Sequence, residues 1–445
     1  MLRVLHLGLG AFHRAHQAVF LQRLMDAGDD GWQIAAGNLR PESPDSAALL
    51  RAQGHCYTVE SVTPDGARAY QRIDVIREAV PYTNDLTRLI ALACDPATRI
   101  VSFTVTEAGY AQEGAAPDGG HTLYGALIAL LGARRASGAG ALTLLSCDNL
   151  RHNGDRMRAG LLAAIEGRSD HAMLDWVRAN TNCPNAMVDR ITPRPPAELA
   201  ARVKAATGHD DHAAVMAEDY LQWVIEDHFC NGRPAWERAG VQMVDSVLPY
   251  EEAKIRLLNA THSCIAWAGT LAGHRFIHEG TRDARIRRLA HDYISDDAIP
   301  CLRPSPIDLE AYRDSVLARF SNAALADTNE RVVMDSFAKL PGFIVPTIRE
   351  RLARSESITS VAVLPALLLA FLQRWARDQL PYAYSDQAMD PAQARAMCSA
   401  PDPVAAFCGN RALWGALAGS PALEQAVHGA ALRVMALTSR DAGST

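Results

Sequence analysis

Lys254, Asn259 and His262 lie within one short segment, and their side chains could together oxidise an alcohol. Removing hydride from a secondary alcohol requires a base for the hydroxyl proton. Burial lowers the pKa of a lysine amine, so that it can act as this base near neutral pH. An asparagine amide can donate to the developing alkoxide without adding charge, and the histidine can bond a neighbouring hydroxyl. The alternative is that Lys254 extends to solvent and the other two are satisfied polar groups in a core.

The element that positions these residues is predicted to be one buried helix over Pro249–Gly269. Proline suits a first helical turn, and the acids that follow it favour the helix dipole. At about 100° per residue, His262 would lie about 80°, and Asn259 about 140°, around the axis from Lys254, so all three fit within one half of the helix surface. The residues between and after them are mostly apolar, so the polar ones require partners or a function.

A glycine turn opens the chain. Gly8 and Gly10 follow the β-rich run Leu2–Leu7 and precede an amphipathic helical pattern that extends to about Ala27. In this context the glycines favour a tight turn that approaches a pyrophosphate at a helix N-terminus. His13 stands where a third glycine is usual, which predicts looser packing of helix on strand. A plain βα turn is the alternative.

The residues after the second predicted strand, Trp32–Ala36, bear on the choice of dinucleotide. An acid at the end of this strand often bonds the ribose hydroxyls, but none stands at the first positions here. Arg40 could meet a 2′-phosphate, which favours NADP, whereas Glu42 or Asp45 could reach back to the ribose. We expect NAD, with NADP not excluded.

Two further apolar runs, Arg99–Val105 and Ala141–Leu145, have the character of strands buried on both faces. Because ligands bind at the carboxyl ends of parallel strands, the polar residues that follow are site candidates. They include Glu107 after the first run and Asn149 after the second. A turn-forming or capping role is the alternative for Asn149.

From about Pro249 onwards, helical patterns dominate and clear strands are absent. The sequence therefore predicts an α/β fold, in which an N-terminal Rossmann-like dinucleotide-binding domain (1–245) is followed by a mostly α-helical C-terminal domain (246–445). Besides the lysine-bearing segment, the strongest helical patterns are Asp308–Phe320, Asp327–Lys339, Val361–Trp375 and Pro403–Leu417.

Composition excludes several classes of protein. The net charge of -6 without a basic run disfavours nucleic acid and anionic membrane surfaces as partners. The nine cysteines form no CxxC pair, and the N-terminus lacks a secretory pattern, so we expect a cytoplasmic protein. The longest apolar run, Val361–Leu372, is too short for a bilayer span.

His13 and His16 share a helix face and so could bind a metal ion. No cysteine or acid nearby supplies an obvious third ligand, so packing, or contact with cofactor or substrate, is favoured. Asp189 has two structural alternatives to a site role: it could pair with Arg190, or shape the turn before Pro193.

Five stretches together resemble the polyol-specific long-chain dehydrogenases, a family that includes mannitol 2-dehydrogenase and the hexuronate reductases. They occur in the family's order and cover most of the chain: Gly8–His16, Thr104–Tyr110, Ser146–Asn149, Met187–Pro193 and Lys254–His262. Within the family, four stretches are most similar to members that oxidise D-arabinitol: Ala35–Arg40, Asp148–Gly154, Leu248–Lys254 and Ser263–Thr270.

The resemblance implies a metal-independent oxidation of a polyol to a ketose, with NAD as the cofactor and a monomeric enzyme. It implies that Lys254 is the general base, that Asn149 and Asn259 form the oxyanion hole, and that His262 orients the substrate. The implied cofactor-binding residues are Gly8, Gly10, Phe12, Asn38, Arg40 and Glu107. The implied substrate-binding residues are Asp189, Arg331, Lys339 and Glu251, the last associated with a proton path.

Alternatives remain within this family and outside it. The substrate could be mannitol, or a hexuronate such as fructuronate, and a carboxylate substrate would require an extra cation in its pocket. A dinucleotide-binding protein without catalytic activity would retain the glycine turn alone.

Overall fold

The computed structural model describes residues 1–42, 45–105, 110 and 120–438. The chain forms two compact units. The first comprises Met1–Thr63 and Ala67–Leu248, and the second comprises Pro64–Gly66 and Pro249–Thr445.

The strands of the described residues lie in the first unit. They are β1 Leu2–Leu7, β2 Trp32–Gly37, β3 Tyr57–Val62, β4 Arg68–Ile73, β5 Ile76–Val80, β6 Thr98–Phe103, β7 Leu142–Ser146, β8 Thr181–Asn182, β9 Ala186–Asp189, β10 Val215–Glu218, β11 Gln222–Glu226 and β12 Gln242–Val244.

Helices of the first unit connect many of these strands. They are α1 Ala11–Ala15, α2 Gln17–Asp26, α3 Ser46–Ala52, α4 Thr87–Ala93, α5 Leu123–Ser137, α6 Asn153–Gly167, α7 His171–Asn180 and α8 Leu199–Thr207, with a 3₁₀-helix at Trp236–Ala239.

The described part of the second unit contains helices and one isolated bridge, between Phe276 and Thr328. The α-helices are α9 Leu248–Ala253, α10 Ala260–Ala272, α11 Ile277–Arg282, α12 Ala284–Asp292, α13 Ile299–Leu302, α14 Leu309–Phe320, α15 Asn329–Val333, α16 Ser336–Lys339, α17 Val345–Ala353, α18 Val363–Ala376, α19 Pro391–Cys398, α20 Pro403–Cys408, α21 Arg411–Trp414 and α22 Pro421–Thr438. Three π-helices lie at Lys254–Asn259, Tyr293–Ala298 and Leu340–Ile344, and 3₁₀-helices lie at Ala323–Leu325 and Gly415–Leu417.

The main sheet is parallel throughout, with strand order β5-β2-β1-β6-β7-β8. Because β2 and β6 lie on opposite sides of β1, the chain winds outward from the centre in both directions. This is the order of the doubly wound dinucleotide-binding sheet, and it opens a crevice at the carboxyl ends of β1 and β6. The predicted Rossmann-like architecture is confirmed.

Strand β1 shows why the sheet is central. Its side chains alternate between two cores: Val4 packs with Phe20 and Ile34 on one face, whereas Leu5 and Leu7 pack with the other. A strand that buries both faces reads as a continuous apolar run, which is the pattern seen in the sequence. The glycine turn after β1 is therefore fixed to a rigid element.

Helix α10 forms the core of the second unit. It packs against α11, α12, α15, α18 and α22, and nearly all of its residues are buried. A helix that is apolar on all sides can be accommodated only when it is surrounded in this way. The mostly helical second unit is thus confirmed.

Three predicted helices are interrupted. The pattern from Gly10 to Ala27 divides at His16, where φ and ψ are -123° and -85°. The pattern over Asp327–Lys339 divides into α15 and α16, because Asp335 takes a positive φ of 55°. The pattern over Pro403–Leu417 divides where Asn410 caps the start of α21. Capping and left-handed residues outweigh hydrophobic periodicity at these points.

None of the helices in the described residues combines the length and hydropathy that crossing a membrane requires. The nine cysteines are free thiols.

Candidate active site

The glycine turn at the end of β1 is held by its neighbour strand. Gly8 has a φ of 109°, and a Cβ at this position would lie 2.3 Å from the carbonyl oxygen of Thr104. The Thr104 hydroxyl donates to the Gly8 carbonyl oxygen at 3.0 Å. The fold itself therefore requires glycine at position 8.

Gly10 differs from Gly8. Its φ of -79° suits any residue, and a Cβ there would meet no protein atom within 4 Å. Gly10 borders a cleft of about 280 Å³ at the carboxyl ends of β1 and β6. The cleft is lined by Gly8, Gly10, Asn38, Leu39, Arg40, Pro41, Glu42, Thr104, Val105, His121 and Leu123.

Asn38 links the turn to the acid that follows β2. Its Oδ1 accepts from the Leu9 amide at 2.6 Å, and its Nδ2 donates to Glu42 Oε2 at 2.8 Å. Asp45 instead caps α3 by accepting from the Ala47 amide at 3.0 Å. Of the two acids considered from the sequence, Glu42 is the one that reaches back to the cleft, which Arg40 also lines.

His13 does not loosen the packing of helix on strand, and that prediction was wrong. Its ring stacks on that of His6, a residue of β1, with centroids 3.5 Å apart and planes 12° apart. Burial, together with the neighbouring charge of Arg14, lowers the pKa of His13 to about 3. Burial likewise lowers the pKa of His6. Two neutral imidazoles therefore fill the space between α1 and the sheet.

The His6 ring also supports the turn. His6 Nδ1 lies 2.8 Å from Ser102 Oγ, and its Nε2 lies 3.1 Å from both the Gly8 carbonyl oxygen and Thr104 Oγ1. Nothing in the sequence pattern singled out His6, because a histidine inside an apolar strand is usually a satisfied core residue.

Phe12 and His16 form a second ring contact in this region. Their centroids are 5.0 Å apart, and His16 Nε2 lies 2.9 Å from the carbonyl oxygen of Gln222. His13 and His16 thus both make ring contacts in the core of the first unit. Glu107 lies outside the described residues.

The loop after β7 places Asn149 on an ordered support. Asp148 Oδ1 accepts from the Val105 amide at 2.9 Å, and Asp148 Oδ2 accepts from the Tyr110 hydroxyl at 2.8 Å. Asn153 Nδ2 donates to the Asp148 carbonyl at 2.9 Å and to the Ala186 carbonyl at 2.7 Å. Asn149 itself is exposed at the carboxyl end of β7. Sequence reasoning named Asn149 but missed the supporting role of Asp148 and Asn153.

Asp189 ends β9 and is buried. The guanidinium of Arg190 donates to the Glu218 carbonyl at 2.9 Å, to Ser61 Oγ at 2.7 Å and to the Ala15 carbonyl at 2.5 Å. Arg190 therefore joins β9 to α1, β3 and β10. This network fixes the backbone beside Asp189.

The lysine-bearing segment is not a continuous α-helix. Lys254–Asn259 is a π-helix, between α9 and α10. Hydrogen bonds in a π-helix join residues i and i+5, so residues five apart share a face. The separation of about 140° between Lys254 and Asn259 that an α-helix would give is therefore wrong. The wider turn reduces this angle, in keeping with the predicted placement of both residues on one half of the helix surface.

Burial distinguishes the residues of this segment. Lys254 is 7% exposed and Glu251, on the preceding turn, is 6% exposed. Asn259 is half-buried, and its backbone carbonyl accepts from Ser263 Oγ at 3.1 Å. Within the part of the chain that the structure describes, the Asn259 side-chain amide makes no hydrogen bond. An amine shielded from water thus lies one π-turn from an amide whose donors remain available.

His262 belongs to a polar network that sequence analysis found only in part. Its Nε2 lies 3.1 Å from Asp327 Oδ2, and its ring stacks on Phe320 with centroids 4.4 Å apart. Arg331 donates twice to Asp327, both at 2.7 Å. The structure therefore joins His262 to Arg331 through Asp327, which had not been predicted as a site residue. The signal that could have found it is its position before a capped helix, four residues from Arg331.

The pKa values in this network follow from burial and charge. Burial lowers the pKa of His262, with Asp327 opposing and the charges of Arg331 and Lys339 assisting. Although burial acts in the opposite sense, His262 and Arg331 hold the pKa of Asp327 well below its usual value. Burial lowers the pKa of Lys339 to about 8, and its Nζ donates to the Val332 carbonyl.

One group in the described residues has the composition of a metal site. Asp402, Glu424 and His428 place ligand atoms within 4.8 Å of one another on the surface of the second unit. None of the predicted site residues belongs to it.

Both units match models of one known family. Residues 2–238 match the mannitol dehydrogenase Rossmann domain, and residues 246–435 match the mannitol dehydrogenase C-terminal domain. D-arabinitol 4-dehydrogenase of Ralstonia nicotianae is 56% identical over 448 residues, which cover 97% of this chain and 96% of that protein. D-arabinitol 4-dehydrogenase of Klebsiella pneumoniae is 48% identical over 427 residues, which cover 93% of this chain and 94% of that protein.

A solved structure is similar over almost the same length. Mannitol 2-dehydrogenase of Pseudomonas fluorescens, in a ternary complex with NAD and D-mannitol, is 33% identical, with a TM-score of 0.84. The match covers 98% of this chain and 93% of that one. The resemblance found in the sequence is confirmed: the chain belongs to the mannitol dehydrogenase family of oxidoreductases.

Proposed function

We propose that the protein is an NAD-dependent polyol dehydrogenase that oxidises D-arabinitol to D-xylulose without a metal ion. The observation that carries the proposal is the buried residue Lys254, which begins a π-turn that ends at Asn259. A base and a hydrogen-bond donor on one face are the two groups that alcohol oxidation needs. Relatives named D-arabinitol 4-dehydrogenase, at 56% and 48% identity, support the choice of substrate.

The cleft beside the glycine turn fits a dinucleotide. It lies at the switch point of the parallel sheet, where such cofactors bind, and Gly10 leaves space that no protein atom requires. Gly8, Gly10 and Asn38 would hold the pyrophosphate and ribose side, and Arg40 and Glu42 would face the adenosine ribose. Phe12 and Glu107 complete the proposed cofactor-binding set. NAD supplies the hydride acceptor for the carbinol carbon.

The two glycines provide a matched pair of variants. Gly10→Ala is expected to keep the melting temperature of the wild type while weakening NADH binding about tenfold or more, because the methyl group would occupy the space in which the pyrophosphate approaches. Gly8→Ala is expected to lower the free energy of unfolding by about 1–3 kcal/mol or more, since it meets both a clash and a left-handed φ. Thermal unfolding and fluorescence titration with NADH measure both. Equal NADH affinity in Gly10→Ala and wild type would exclude this cofactor position.

Glu42 is proposed to favour NAD over NADP. Glu42→Gln keeps an oxygen that can accept from Asn38 but removes the charge that would repel a 2′-phosphate. We expect the ratio of kcat/KM with NADP to that with NAD to rise about fivefold, since two charges 4 Å apart in water interact by about 1 kcal/mol. Arg40→Gln is the complementary variant and is expected to lower the same ratio. An unchanged ratio in both would show that these residues do not select the cofactor.

The proton and the hydride of the substrate are assigned to two different acceptors. We assign proton removal to Lys254 Nζ, which takes the hydroxyl proton as the carbon–oxygen bond becomes a carbonyl. Burial favours the neutral form of an amine, which is the form that can accept. The Asn259 amide donates to the oxygen as negative charge develops, and Asn149 is assigned as the second donor. The products are the ketose, NADH and a proton held by the lysine. Glu251 is proposed to pass this proton towards solvent.

The remaining hydroxyls of the polyol are assigned to the network around Asp327. Asp327 fixes His262 and Arg331, so each can bond a substrate hydroxyl from a defined position. Lys339 and Asp189 are proposed as further substrate contacts. In this assignment the cofactor belongs to the first domain (1–245) and the base to the second (246–445).

A substrate panel is the experiment that tests the proposal. Initial rates with D-arabinitol, D-mannitol, D-sorbitol and the reduced hexuronates, each with NAD and NADP, are expected to be highest for D-arabinitol with NAD. A preference for D-mannitol or a reduced hexuronate would show that this protein has the substrate of another branch of the family. NADH binding without turnover of any polyol would favour a non-catalytic binding protein.

We also propose that the enzyme needs no metal ion and is a monomer. Dialysis against a chelator is expected to leave the rate unchanged, and activity that zinc restores would contradict a lysine base. We propose a cytoplasmic monomer that binds neither nucleic acid nor membranes, in keeping with the nine free thiols and the net charge of -6.

A further inference from the structure

The π-helix that carries Lys254 receives a hydrogen bond from a second π-helix. The hydroxyl of Tyr293, the first residue of Tyr293–Ala298, donates to the backbone carbonyl of Arg256 at 2.8 Å. Tyr293 is fully buried. Burial raises the pKa of Tyr293, so its hydroxyl remains protonated and can donate.

The Arg256 side chain anchors the same turn. Its Nε donates to Glu252 at 2.9 Å, and its two terminal nitrogens donate to Glu350 at 2.7 and 3.0 Å. Arg256 is buried, and a buried guanidinium requires such partners. The acids belong to α9 and α17, so the π-turn is clamped to elements on both sides.

A π-turn needs this support. It is rare, and it occurs mainly as single-turn insertions within α-helices, frequently at functional sites. A buried backbone carbonyl without a donor is costly, so the hydroxyl that satisfies Arg256 stabilises the wider turn. Without such contacts the segment would tend to the α-helical register.

We propose that Tyr293 is a positioning residue for the reaction: by holding the Arg256 carbonyl, it maintains the π-turn that keeps Lys254 and Asn259 on one face. The inference rests on the proposed roles of those two residues. Relaxation to an α-helix would rotate Asn259 about 140° from Lys254. The larger angle would move the oxyanion donor away from the oxygen on which the base acts.

Tyr293→Phe tests the proposal by removing one hydroxyl. We expect kcat for polyol oxidation to fall about tenfold or more, because misplacement of a catalytic group by about 1 Å can cost about 10²-fold, with little change in NADH affinity. Tyr382→Phe is the matched control, since it removes a hydroxyl that hydrogen-bonds Thr270 Oγ1 at 2.6 Å elsewhere in the second unit. The control is expected to keep the wild-type kcat. A Tyr293→Phe enzyme with the wild-type kcat would overturn the proposal.

A double-mutant cycle separates positioning from general destabilisation. If Tyr293 acts through Asn259, then Tyr293→Phe is expected to cost much less in an Asn259→Asp background than in the wild type. Fully multiplicative losses would contradict the proposal. If Tyr293→Phe folds poorly, Glu350→Gln weakens the same clamp and is expected to lower kcat several-fold. Lys254→Ala tells the two hypotheses apart: full activity in it would overturn the proposed function, whereas loss of activity there with normal Tyr293→Phe would overturn only the positioning role.

Discussion

Lys254→Ala is expected to lower kcat for D-arabinitol oxidation by about 10³- to 10⁴-fold, the contribution of a well-placed general base. Alanine leaves no group to accept the hydroxyl proton as hydride departs. The cofactor cleft belongs to the first unit and Lys254 to the second, so NADH affinity is expected to stay within about twofold of the wild type. Stopped-flow rates and fluorescence titration measure the two quantities.

The chain supplies a matched control for this variant. It contains three lysines among its 44 basic residues, and Lys204 is the exposed one, 3.2 Å from Asp210 on the surface. Lys204→Ala is expected to keep full activity, because exposed ion pairs contribute little. A Lys254→Ala enzyme that turns over as fast as Lys204→Ala would exclude Lys254 as the base.

Asn259→Asp is expected to lower kcat/KM by about 10²- to 10³-fold, the usual cost of removing an oxyanion donor. The change keeps the size of the side chain but replaces donors with a negative charge facing a developing alkoxide. The loss should fall mainly on kcat, because the alkoxide forms only in the transition state. Steady-state kinetics with D-arabinitol over a range of pH checks this.

Asn410→Asp is the control for that substitution. Asn410 Oδ1 accepts from the Ala412 amide at 2.9 Å and the Leu413 amide at 3.2 Å at the start of α21. Aspartate caps a helix as well as asparagine does, so this variant is expected to fold and to keep its activity. Similar losses in both variants would point to a general effect of added charge, against a donor role for Asn259.

The main sheet could be predicted from the sequence because its signals are local. Strands β1, β2, β6 and β7 each bury both faces, so each reads as an apolar run, and the glycine turn follows directly after the first of them. The carboxyl ends of these strands then identify the crevice without further information. The limits of β1 match the predicted ones, and those of β2, β6 and β7 differ from them by at most two residues.

The π-turn that begins at Lys254 could not be predicted in the same way. Hydrogen bonds join residues four apart in an α-helix and five apart in a π-helix. The sequence of Lys254–Asn259 has no local signal that favours the wider turn. What supports it comes from distant residues: the Tyr293 hydroxyl and the Glu350 carboxylate. The placement of Lys254 and Asn259 on one half of a helix could be predicted, whereas the π-turn that joins them emerged only with the tertiary structure.

The same limit applies to the stacked histidines and to Asp327. His13 was read as a poor replacement for glycine, because the partner that makes it fit, His6, lies on β1. Asp327 bonds His262 from a position 65 residues further along the chain. The rarity of lysine is a further signal in the sequence. The chain has three lysines, and two of them, Lys254 and Lys339, are assigned to the site.

Chemical rescue of Lys254→Ala tests the proton-transfer role most directly. Small primary amines such as methylamine are expected to restore oxidation of D-arabinitol, with a rate that rises in proportion to the concentration of the uncharged amine and therefore with pH. Lys204→Ala should show no such dependence on added amine. A Lys254→Ala rate that does not change with any amine, at any pH at which the protein remains folded and binds NADH, would contradict a lysine base at this position.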